Sequence, residues 1–168
     1  ISAAVSMTSL LERIRAHLPF GTNAIVASLP ASPQTVVAGS VAVGATGDVV
    51  FADASQGLIR RLRIRLPVDA ARAADHLSVL ANSAQTTSAR VEFPDASDVA
   101  FAPNGDVYVA DATNHRICRI DRRTGTVTTI AGDGSAGFDG DAGQAAQAAL
   151  DSPVALAVAA NGDLYIAD

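Results

Sequence analysis

Three aspartates recur at one interval. Asp53, Asp111 and Asp168 stand 58 and 57 residues apart, each directly after an apolar run: V-V-F-A, V-Y-V-A and L-Y-I-A. A carboxylate at the end of a buried strand could act as a general acid or base. A residue that returns at one phase of every repeat has a plainer role, accepting N–H groups at a turn. The same choice applies to Asn114, His115 and Arg116, where His115 could serve as ligand or base.

Two further groups could carry charge chemistry. Asp133, Asp139 and Asp141 lie among glycines in G-D-G-S-A-G-F-D-G-D-A-G, an oxygen-rich loop that could offer ligands to Ca²⁺. The spacing is not that of an EF-hand, and Asp-Gly pairs are equally a turn signal. Arg60, Arg61, Arg63 and Arg65 form a basic strip suited to phosphate contacts, as in RNA. No stacking aromatics lie beside it, and an exposed strand kept soluble by arginine is the plainer reading. Cys118 lies mid-strand between Ile117 and Arg119 and reads as a small packing residue.

The elements that position these residues come from the repeat itself. Val41–Arg63, Asp98–Gly134 and Leu156–Asp168 share a strand, a turn and a second strand, and the turns are A-T-G-D, P-N-G-D and A-N-G-D. Asn-Gly between apolar runs predicts a tight hairpin with both turn residues at positive φ. The strands D-V-V-F-A, D-V-Y-V-A and D-L-Y-I-A do not alternate apolar with polar. Such strands need packing above and below their sheet.

Third strands are expected over Leu58–Ile64 and Arg116–Ile120, and fourth strands over Leu77–Ala81 and Thr126–Ala131. Asp69–Ala84 has helical propensity, and the repeat phase overrides it in its second half. Gly132–Pro153 should be a long loop ending in a short helix near Ala142–Leu150. Ahead of the repeats, Met7–Leu18 has the apolar spacing of a helix face, closed by Pro19. Thr22–Ser28 has strand composition, and Pro67–Asp75 is an insertion.

The chain has 168 residues, 49% of them apolar and 4% aromatic, with a net charge of −5. All its basic residues are arginine, concentrated in the first repeat, while the last is rich in Asp. A single cysteine excludes an intrachain disulfide and Cys-rich zinc sites. No apolar run reaches membrane-span length, and no phosphate loop, G-x-S-x-G or H-E-x-x-H occurs. Nothing fixes the compartment. The Ile1 start and the stop inside a repeat read as a piece of a longer polypeptide.

Four short strands per repeat, Asn-Gly hairpins and V-Y-V-A-D-x-x-N-H-R-I-x-R-I at Val107–Ile120 resemble the NHL-repeat family of β-propellers. Thr124–Pro153 is similar to that family's long inter-blade loop. The resemblance covers residues 39–168 and is poorer in the first repeat, where Gln56-Gly57-Leu58 replaces Asn114-His115-Arg116. It implies an all-β, incomplete propeller of four-stranded blades near 39–81, 98–131 and 154–168. Residues 1–20 then form a helical segment or linker, and 21–168 the partial propeller. The resemblance also makes Asn114, His115 and Arg116 a structural turn.

Three functions are compatible with it. One is a non-catalytic scaffold for a protein or ligand, its partners including the remaining blades of the same polypeptide. Another is part of a lyase- or lactonase-type propeller enzyme with a central metal. The last is RNA binding through the Arg strip. The inner strands contain no histidine, and Asp98 is the acid nearest them, which favours the scaffold.

Overall fold

The structure is a computed structural model and describes residues 38–53, 56–62, 77–81 and 93–168. The expected helix at Met7–Leu18, the strand at Thr22–Ser28, the insertion at Pro67–Asp75, and Arg63 and Arg65 lie outside the described residues.

Among the described residues ten strands form three antiparallel sheets. The first is β1 (Ala38–Val43), β2 (Val49–Asp53), β3 (Leu58–Leu62) and β4 (Leu77–Ala81), paired in chain order. The second is β5 (Ala96–Phe101), β6 (Val107–Asp111), β7 (Arg116–Ile120) and β8 (Val127–Ala131), again in chain order. The third pairs β9 (Ala155–Val158) with β10 (Leu164–Ala167). β4 is a strand, as the repeat phase predicts against local helix propensity, because pairing with β3 gives its backbone polar groups partners.

The sheets stack as successive blades, with β1, β5 and β9 side by side as the innermost strands. β6 shows why its sequence lacks alternation. Val107 and Val109 face the first sheet and join a core with Val50, Ala52 and Ile59. Tyr108 and Ala110 face the other way, where Leu156, Leu164 and Ile166 of the third sheet pack. A side chain such as Val109, fully buried, contributes about 1.5–3 kcal/mol through its transfer from water.

The three hairpin turns are superposable in their bonding. The Gly44, Ala102 and Ala159 amides donate to the Asp48, Asp106 and Asp163 carbonyls at 2.8, 2.9 and 2.9 Å. The loops are therefore five residues long rather than two. Gly47, Gly105 and Gly162 have φ of +80°, +85° and +94°, whereas Asn104 and Asn161 are not in the left-handed region. The asparagines act through their side chains instead: Asn104 Oδ1 accepts from the Asp106 amide at 3.0 Å. This corrects the expected tight hairpin.

The segment after β8 is a folded loop. The Gly132 amide donates to the Ala145 carbonyl at 3.0 Å and the Asp133 amide to Ala148 at 2.9 Å. The Gly137 amide reaches Leu150 at 3.2 Å, and the Ala149 amide returns to Asp139 at 2.8 Å. The helix expected over Ala142–Leu150 is one 3-10 turn, Ala145–Gln147, because the flanking backbone bonds back to the loop's other limb.

Candidate functional site

The first two blades bury their repeat aspartates, Asp53 and Asp111, against an arginine. Asp111 is fully buried at the end of β6. Its carboxylate accepts from Asn114 Nδ2 at 2.8 and 2.9 Å and from Arg116 Nε at 2.9 Å. Between them His115 takes φ +51°, closing the 3-10 turn Ala112–Asn114 onto β7. Asn114, His115 and Arg116 thus form the structural turn. His115 Nδ1 accepts from the Ser152 amide at 3.1 Å, tying this turn to the loop that enters β9.

In the first blade Gly57 holds the left-handed position at φ +63° and Leu58 stands where Arg116 would be. Arg60, two residues further along the same face of β3, supplies the guanidinium: its Nε donates to Asp53 Oδ2 at 2.8 Å. Its second nitrogen donates to Gln56 Oε1 at 2.6 Å. Asp168, ending the third repeat, accepts from the Asp151 amide at 2.8 and 3.0 Å.

A second pairing recurs at the opposite end of the strands. Asp106 accepts from Arg119 Nε at 2.7 Å, Asn104 Nδ2 at 2.8 Å and the Arg122 amide at 3.0 Å. Burial raises the pKa of this carboxyl, but the bonds from the Arg122 amide, Arg119 and Asn104 outweigh it and hold it below its ordinary value. Asp48 and Arg61 make the same pair in the first blade. The recurrence of Asp48 with Asp106, and of Arg61 with Arg119, at the 58-residue step was the sequence signal for it. Read as a surface strip, the arginines concealed it.

Arg60 and Arg61 therefore lie in ion pairs, and Arg61 is only 8% exposed. The reading of β3 as an exposed strand is corrected at this point. Asp133, Asp139 and Asp141 are all exposed, and Asp133 Oδ1 accepts from the Ser135 amide at 2.8 Å. Among the described residues no group of three or more His, Cys, Asp or Glu side chains is arranged to hold a metal. The three loop carboxylates are thus not gathered as a ligand set for Ca²⁺. Cys118 is fully buried, and burial pushes its thiol pKa up, as for an unreactive packing residue.

Asp98 does something the sequence did not disclose. It sits on β5 and accepts Ser40 Oγ from β1 at 2.5 Å and the Leu156 amide from β9 at 2.7 Å. One carboxylate joins the innermost strands of all three sheets. Ser97 adds a bond from its Oγ to the Pro153 carbonyl at 2.6 Å.

A family model for the teneurin NHL domain matches residues 84–168, just over half of the chain. The chain belongs to that family. The chain is 36% identical over 85 residues to teneurin-4 of Homo sapiens, covering 44% of this chain and 3% of that protein. It is 41% identical over 70 residues to the chloroplastic protein SUPPRESSOR OF QUENCHING 1 of Arabidopsis thaliana, covering 42% of this chain and 6% of that one. The NHL domain thus spans a small part of the length of these relatives.

A solved structural genomics protein of unknown function from Bacteroides thetaiotaomicron superposes with a TM-score of 0.54 at 17% identity. It covers 78% of this chain and 30% of its own; the likeness shows the fold. Among the described residues no helix is long and apolar enough to cross a membrane.

Proposed function

We propose that this NHL-repeat segment is a non-catalytic scaffold that presents its inter-blade loop to a protein partner. The observation that carries the reading is the use made of its charged groups. Asp48, Asp53, Asp106 and Asp111 are each paired with an arginine inside their own blade. The acid on the innermost strands, Asp98, braces three sheets. Catalysis needs titratable groups that converge on a reactant, and these are engaged by arginines and strand groups of the fold.

The surface left for recognition carries an exposed aromatic among polar residues and is held in shape. Phe138 is 75% exposed on a loop whose backbone is bonded across its two limbs. A preorganised aromatic loses little freedom on binding. A photo-crosslinking residue in place of Phe138, in the full polypeptide in its native cells, should give one discrete protein adduct. The same residue in place of buried Phe93 should give none. Absence of an adduct from Phe138 and from positions 135–147 would remove the scaffold reading.

A further inference from the structure

The turn end of the innermost strands encloses a cleft of about 500 Å³, within the roughly 300–1,000 Å³ usual for small-molecule sites. Val43, Phe101 and Val158, the last residues of β1, β5 and β9, give it an apolar wall from all three sheets. Thr46 and Asn104 line it from the turns. Val43 stays 37% exposed, so the wall is not closed by its own neighbours.

Arg122, an exposed residue, also lines the cleft. Its amide is fixed by Asp106 Oδ1 at 3.0 Å, and its side chain crosses the face of Gly105. A Cβ on Gly105 would fall 3.1 Å from Arg122 Cδ and 3.3 Å from a guanidinium nitrogen, so the glycine leaves the space in which the arginine lies. Arg60, Arg61, Arg116 and Arg119 each have a carboxylate partner. Among the described residues the Arg122 guanidinium has none. No acidic residue lines the cleft.

We infer that this cleft binds a small organic carboxylate with an apolar body. The body packs on Val43, Phe101 and Val158, and Arg122 receives the carboxylate through its planar fork. The site is independent of the loop proposed to meet a protein partner. It needs no titration and no bond to be made or broken.

Benzoate and its neutral isostere benzamide test it on the full polypeptide by ligand-observed saturation-transfer NMR. Benzoate should bind about tenfold more tightly than benzamide, the size of one charge-assisted hydrogen bond. Arg122→Gln should abolish that tenfold preference. Arg123→Gln, an exposed neighbour outside the cleft lining, should leave it within about twofold. Both variants should melt as the parent does, since neither guanidinium is in an ion pair among the described residues. Equal affinity for the two probes, an equal loss in Arg123→Gln, or no saturation transfer at about 10 mM benzoate would overturn the proposal.

Discussion

Asp106 is 2% exposed and accepts three hydrogen bonds, so its charge is stabilised by the fold rather than by water. A carboxyl whose folded pKa lies below its ordinary 3.8 binds its proton less readily folded than unfolded. Its contribution is therefore complete above pH 3.8 and is lost as pH falls through the lower folded value. Asp106→Asn should cost about 2 kcal/mol near neutral pH, the worth of a charge-assisted bond. In paired urea melts the gap between parent and variant should be flat above about pH 5 and close below pH 3.8. A gap that widened on acidification would contradict the assignment. That Asp53 and Asp111 are structural was legible, because repetition itself argues against catalysis, although Asp111 accepts from the side chains of Asn114 and Arg116 rather than from turn amides. The pairing of Asp53 with Arg60 was not, since the first blade moves the guanidinium two residues along β3 after losing the Arg116 equivalent.

Strands were legible wherever the repeat phase could be read, β4 included, because periodic hydrophobicity survives where local propensity misleads. Turn geometry was not, because Asn-Gly suits both a two-residue hairpin and the five-residue loop seen here. Contacts between sheets were also hidden. Asp98 looked like a lone acid near the centre, and only the stacking brings Ser40 and the Leu156 amide to it. Those two residues lie 58 positions away on either side, beyond the reach of local pattern. Asp98→Ala should leave β9 paired with β10 but free its Leu156 amide from the second sheet. Hydrogen exchange at Leu156 should quicken by at least about tenfold, the loss of one bond to a charged acceptor. Exchange at Val109 should change far less, because it lies between β5 and β7 in the interior of the second sheet. Equal acceleration at both amides would mean that Asp98 supports its own sheet rather than the junction.

The three sheets are not equally covered, and this sets how the molecule should open. The middle sheet packs on both faces, through Val107 and Val109 on one side and Tyr108 and Ala110 on the other. The third sheet has Leu156, Leu164 and Ile166 against the middle sheet, while Tyr165, between Leu164 and Ile166 on β10, is 61% exposed on its far side. Tyr165 holds the repeat position of Tyr108, so the face exposed here is the one a blade turns toward its successor. Local opening costs free energy in proportion to the apolar contacts it breaks. Amides of β6 and β7 should therefore exchange slowest in native-state hydrogen exchange, and those of β10 fastest among the strands of the second and third sheets. The hydrogen-bond pattern alone predicts less contrast, since β9 and β10 form a regular antiparallel ladder. If β10 were as protected as β6, its far face would have to be covered, and the stacking of apolar faces would not be what stabilises each blade.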